Sequence, residues 1–355
     1  MKRILFFLLT GVLLNLQAQK VINTGSLIQA GLEDGAKLVD AYVTPINKAI
    51  IFGLSDVSYT KIKKDQPHRF LLSVKLAYVS IPNEDLSFDV NKIGLENLEP
   101  KDPAKHITPT IFGDSTNVIT LVSKQKNFFG NPLIEFDTPK GGQQSAIPLP
   151  FFSVNYRMDY TNLSVHLIPY VQVPDSDIKV AMLGFNIQQD LSVFIKSLKE
   201  SNFGISLQAG ASYLYGDAKL DVKPDGIYSP VTISGNTTGP YDNQELNISY
   251  TSFIVGAYTD YQINKIFTVF AGAGFNLGTS NIDLTGTYPI YTADPTGTGS
   301  VVGEDIDDPL QLSGTYQRVK FDIGTRADFN KFFIQLNYNI STYGGLGLNL
   351  GYKLP

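Results

Sequence analysis

Cysteine is absent from all 355 residues, which excludes a disulfide framework, a thiolate metal site and a lipidated amino-terminal cysteine. Tryptophan is absent too, and the three histidines, His68, His106 and His166, lack metal-ligand spacing, so no metal and no other cofactor is expected. Charged residues make up only 17% of the chain and the net charge is −5, which argues against a nucleic-acid partner. The chain opens MKRILFFLLTGVLLNLQAQ, where Lys2 and Arg3 precede an apolar run from Ile4 to Leu14 and small or polar residues around Ala18. That is the pattern of a secretory signal peptide, assigned to residues 1–19, whose removal makes the balance more acidic still. No later segment approaches the roughly 20 apolar residues of a spanning helix, so a membrane can be crossed only by a closed barrel.

What the sequence does hold is aromatic and turn-rich: 31 Gly, 19 Tyr and 22 Phe. In RVKFDIGTRADF, Arg318, Lys320, Asp322, Arg326 and Asp328 share one register, with Val319, Phe321, Ile323, Ala327 and Phe329 on the other. Period-two alternation is the mark of a β-strand. A soluble sandwich would put the apolar face inside, whereas a membrane barrel turns it to lipid. The same division recurs in RFLLSVKLAYV from Arg69, in Phe152 to Tyr160, in GISLQAGASYLY, in KFFIQLNYNIST and in the terminal GLGLNLGYKLP. Glu245 to Tyr261 changes register midway, which predicts a β-bulge near Thr251.

Short links at Tyr160 to Asn162, Gln262 to Lys265 and Asp328 to Lys331 alternate with long connections at Gly216 to Asn243 and Thr285 to Gln311. Short periplasmic turns and long external loops are the layout of outer-membrane barrels. The pattern predicts nine strands from Phe152 onward, and a periplasmic amino end requires an odd number before them. Leu86 to Val90 reads as a second strand, and Asn91 to Pro150 is proline-rich with β-like runs at 117–122 and 133–136. The expected fold is all-β: a transmembrane antiparallel barrel of 14 strands, or 12, over residues 67–355. Residues 20–66 are read as a short helical plug. There Ser26 with Gln29 gives a capping box, Pro45 opens a second helical piece, and a small periplasmic helix is the other reading.

Gly31, Gly35 and Tyr42-Val43-Thr44-Pro45, followed by a barrel ending in alternating Leu and Tyr, resemble the long-chain fatty-acid outer-membrane transporter superfamily. The likeness is nearer still to an uncharacterised family of barrels related to it. The resemblance implies fourteen strands around a hatch that admits hydrophobic molecules. Those transporters carry Asn-Pro-Ala in the hatch where this chain reads Thr44-Pro45-Ile46, so their ligand contacts do not carry over.

Ser164 and His166 share a strand face, as a serine and histidine do in outer-membrane phospholipases. The order is reversed, and about 6–7 Å along a strand exceeds hydrogen-bond reach. Gly303 to Pro309 is acidic, yet lacks the spacing of a calcium loop. No enzyme is expected. The function expected is a passive, monomeric transporter or channel for small hydrophobic molecules in the outer membrane of a gram-negative bacterium, in contact with its lipid. The alternative is a sealed structural or surface-interaction barrel. Lumen-lining residues are expected at Arg157, Asp159, Arg318, Lys320, Asp322, Arg326 and Asp328. The plug is expected at Ile28, Leu32, Val39, Pro45, Ile50 and Phe52, with Glu33, Asp34, Lys37 and Asp40 meeting Lys320 and Arg326. Exchanging Asp322 for Asn should then be mild.

Overall fold

The computed structural model describes residues 32–56, 59, 70–126, 128–132, 134–173, 176–199, 201–222, 233–293 and 301–354. The leader at 1–19, the capping box and Ile28 lie outside the described residues. In chain order the elements are α1 (Leu32–Leu54), β1 (Phe70–Ser80), β2 (Ser87–Asp89), β3 (Leu98–Pro100), β4 (Ile107–Pro109), β5 (Thr120–Ser123), β6 (Glu135–Asp137) and β7 (Ala146–Arg157). There follow β8 (Thr161–Gln172), β9 (Lys179–Asp190), the short α2 (Lys196–Lys199), β10 (Phe203–Lys219), β11 (Ile233–Asn236), β12 (Glu245–Gln262) and β13 (Phe267–Thr285). The chain ends with β14 (Thr287–Ala293), β15 (Val301–Asp307), β16 (Leu310–Asp328), β17 (Phe332–Ile340) and β18 (Gly345–Lys353).

Ten of the described strands close into one barrel, in the order β1, β18, β17, β16, β13, β12, β10, β9, β8, β7. The expectation of 14 or 12 strands is therefore corrected to ten. Nine barrel strands run from β7 onward, as the alternation requires, and a single one precedes them, which keeps the parity argument and changes only the count. The missing strands are not in the wall. The run at Leu86 to Val90 contains β2, three residues long and paired with β4, while β3, β5 and β6 form a second small sheet. Strands of three or four residues are too short to span a bilayer, which needs about 9–11, and they fold instead into a cap over the end of the barrel where the long connections lie. Pro148 and Pro150 enter the wall in β7 because β8 pairs with it only from Phe152 downward, so both sit where β7 has a neighbour on one side only.

The wall turns its apolar register outward. Val319, Phe321 and Ile323 are 58%, 53% and 50% exposed, whereas Lys320 between them is 1% exposed. Higher on the same strand the outward register becomes Gln311, Ser313, Thr315 and Gln317, which ends the apolar band. The bulge expected near Thr251 is absent: β12 pairs with β10 and β13 in unbroken register. Leu246, Ile248 and Tyr250 point inward because the upper lumen holds an apolar partner, α1.

That helix is a single element of 23 residues with Pro45 inside it, not two pieces. Pro45 removes one backbone hydrogen bond, but burial on opposite sides keeps the turns together. Leu38, Val39, Tyr42 and Val43 pack under the cap against Val90, Leu98, Ile119 and Leu121 and against Ile282, Leu284 and Leu310 of the wall. Deeper in, Ala49, Ile51, Phe52 and Leu54 meet Val79, Ile147, Met182, Leu214 and Tyr250. The helix therefore enters from the cap end and stops part-way down the lumen.

Candidate functional site

The helix termini explain how the plug is held. At the first turn Glu33 and Asp34 suit the positive end of the helix dipole. Asp34 also accepts the backbone N–H groups of Glu96, Asn97 and Leu98 at 2.8, 2.7 and 3.0 Å, tying α1 to the cap. Lys37 bridges Glu33 and Glu96. The expected contacts of Glu33, Asp34 and Lys37 with Lys320 and Arg326 are thus corrected: these side chains face the cap, at the opposite end of the helix.

A helix leaves its last carbonyls without partners, and here the barrel wall satisfies most of them. Ser252 Oγ donates to the Ile51 carbonyl at 2.8 Å, Arg318 Nη2 to that of Phe52 at 2.8 Å, and Ser212 Oγ to that of Leu54 at 3.4 Å. The Gly53 carbonyl is taken by Asp56 N–H. Asp56 then becomes the centre of a buried latch. Its Oδ1 lies 2.9 Å from Arg318 Nη2 and 3.1 Å from Lys320 Nζ and accepts Asn339 Nδ2 at 3.3 Å. Lys320 is shared with Asp322 at 3.2 Å, and Asp322 accepts Tyr258 Oη at 2.7 Å and Asn339 Nδ2 at 2.9 Å. The Arg318 guanidinium also stacks over the Phe52 ring at 4.7 Å.

Below the latch Tyr59 stacks on Phe270 with centroids 4.6 Å apart and donates to Asp260 at 2.6 Å. A second cluster joins Arg326 to Asp328 at 3.0 Å and Lys353 to Asp328 at 2.9 Å, with Arg326 over the Phe333 ring at 3.8 Å. The lumen is thus divided into an apolar upper half around α1 and a polar lower half.

Of the residues expected to line the lumen, Arg157, Arg318, Lys320, Asp322, Arg326 and Asp328 are buried on the inward register. Asp159 is not among them: it sits exposed in the turn between β7 and β8. The plug residues Val39, Pro45 and Phe52 are buried and Ile50 is half-buried, while Leu32 opens the helix. Asp322→Asn, mild by register alone, is now expected to be costly, because it removes a carboxylate held by three neighbours. Sequence reasoning missed Asp56, whose partners are more than 260 positions away. Its local signal was an anion directly after an apolar helix, where the dipole disfavours one.

Ser164 Oγ donates to Asn155 Oδ1 at 2.7 Å and accepts Asn162 Nδ2 at 2.9 Å, so its hydroxyl is engaged away from His166. In the acidic stretch, most of which lies in β15, Asp305 receives the N–H groups of Thr238 and Gly239 and the Tyr241 hydroxyl, which gives it a structural task. A groove of about 690 Å³ on the outer wall, lined by Ile187, Leu207, Ala209, Val255, Ala273, Phe275 and Val319, is a lipid-facing dent. Behind it the β10–β12–β13 ladders are unbroken.

The helix approaches the wall closely at Gly278, where an added Cβ would stand 2.3 Å from Ile51 Cγ2 and 2.4 Å from the Thr251 carbonyl oxygen. Gly278→Ala should therefore lower stability by about 1–3 kcal/mol through overpacking, read as a lower urea midpoint. An unchanged midpoint would mean that α1 is not seated at that depth.

A family model described as a family of unknown function (DUF6588) matches residues 1–354. No curated protein matches. Among solved structures, the chain is similar to the outer membrane protease OmpT from Escherichia coli, at 9% identity and TM-score 0.31, covering 84% of this chain and 99% of that one. Similar too are the outer membrane protein OprG from Pseudomonas aeruginosa (9%, TM-score 0.29, 83% and 99%) and the attachment invasion locus protein Ail of Yersinia pestis in complex with sucrose octasulfate (9%, TM-score 0.27, 81% and 99%). On its own geometry, a closed wall with apolar side chains outside and charges inside, the chain is an outer-membrane β-barrel.

Proposed function

We propose, from the premise that the chain belongs to the DUF6588 family, that it is a passive, monomeric outer-membrane transporter for small molecules, held shut at rest by α1. The observation that carries this reading is the polar latch at Asp56. A buried ion-pair cluster is a poor way to gain stability, since well-packed apolar residues of similar volume do as well or better. It is a good way to define one seated position of a plug over a wall that stays wettable when the plug shifts. The apolar upper half suits the hydrophobic cargo that the family resemblance implies at the point of entry. The polar lower half favours cargo that carries some polarity.

The sealed surface-interaction barrel is the second reading. It is favoured by Phe128 and Phe129, 93% and 83% exposed on the cap hairpin between β5 and β6.

Because the native chain has no cysteine, one engineered pair can separate the two. Ile51→Cys combined with Ser252→Cys lies where Ser252 Oγ already reaches the Ile51 carbonyl at 2.8 Å. In planar bilayers at rising voltage, the wild type and the reduced pair should open, and the oxidised pair should stay silent. Silence of all three, persisting in Asp56→Ala, would hand the function to the sealed reading.

A further inference from the structure

The inward faces of β17, β18, β1, β7 and β8 carry polar side chains that the latch does not use. Lys75 lies directly across from Asn349, and Asn349 across from Gln335. One step lower, Ser73 faces Ser153, which faces His166. Lys75 is 3% exposed, and Gln335 and His166 are fully buried. Among the described residues, Lys75 Nζ, Ser73 Oγ, Asn349 Oδ1, both amide atoms of Gln335 and both ring nitrogens of His166 have no hydrogen-bond partner. The nearby carboxylates are committed elsewhere: Asp328 to Arg326 and Lys353, Asp322 and Asp56 to Lys320.

We infer that this belt is a binding site for a small anion, with Lys75 as its charge partner and Ser73, Gln335 and His166 as its hydrogen-bonding rim. An ammonium ion out of water without a counter-ion is strongly disfavoured, and it becomes acceptable when an anion is held against it. Hydroxyl, amide and ring N–H groups each offer a donor to a negative ligand. A cation would meet Lys75 head-on, and an apolar molecule would leave every donor unmet. Halide and small carboxylate share the required chemistry. The site does not depend on transport, because it is defined by binding with the plug seated.

The intact protein in zwitterionic detergent gives the test, with thermal unfolding followed by gel mobility. Sodium gluconate, a much larger anion, is replaced stepwise at constant ionic strength by sodium bromide or by sodium formate. The midpoint should rise saturably, by an amount set by mass action. The rise should vanish in Lys75→Met. It should vanish too in Asn349→Asp, which supplies a carboxylate across from Lys75 and so guards against a folding failure in the first variant. Lys101→Met, at an exposed cap pair, should keep it. A response to bromide alone assigns a halide-sized site and a response to formate a carboxylate-sized one. No response to either ion, or an equal response in Lys75→Met and Asn349→Asp, overturns the proposal.

Discussion

Replacing Asp56 by alanine is expected to destabilise the protein by about 3–5 kcal/mol, the usual cost of removing one partner from a buried ion pair. The reason is what remains: Arg318 and Lys320, both under 5% exposed at the side chain, lose the carboxylate they share, and Lys320 keeps only Asp322. The Phe52 carbonyl and the stacked Phe52 ring still hold Arg318, so the loss should be concentrated at the plug and not spread through the wall. Urea unfolding of the folded protein in detergent measures the cost. Combining Asp56→Ala with Arg318→Met and Lys320→Met should recover part of it, because the stranded charges go too. No recovery would mean that Asp56 acts through the helix end and not through the cations.

The second large effect concerns the outer face. Phe321→Arg should cost about 2–4 kcal/mol, because Phe321 is outward on β16 within the apolar band and an Arg there is placed in hydrocarbon. Gln317→Arg, on the same strand and the same outward register but above the band, should be close to neutral. The pair isolates depth from strand and register. Equal costs, measured as unfolding midpoints in lipid bilayers, would place the edge of the hydrocarbon elsewhere on β16.

Legibility in the sequence followed the physics of the two solvents. From Phe152 onward every wall strand separates lipid from lumen, so the residues alternate and the strands can be read in number and direction. The inward register of Arg318, Lys320 and Asp322 follows from the same rule. Between Ile81 and Ser145 no strand meets both solvents. The three- and four-residue strands of the cap pair locally, leave no spanning pattern, and made two or four extra wall strands look necessary. Tyr250 and its apolar neighbours on β12 looked like a register change because alternation describes a wet lumen, and this half of the lumen is filled by α1. Lys75 stood on the polar face of the first strand, but nothing local marks it as unpartnered.

The sequence by itself determined the absence of any disulfide, a barrel wall with an apolar outside, and an apolar segment ahead of it. Those are properties of composition and of periods two and 3.6, and they need no long-range contact. Only the tertiary structure decided the closure at ten strands, the descent of one continuous helix from the cap, and the meeting of Asp56 with Arg318 and Lys320. Closure depends on which edges pair, here β1 with β7 and β18, and a buried charge depends on partners brought together across the barrel. Neither leaves a periodic trace in the chain.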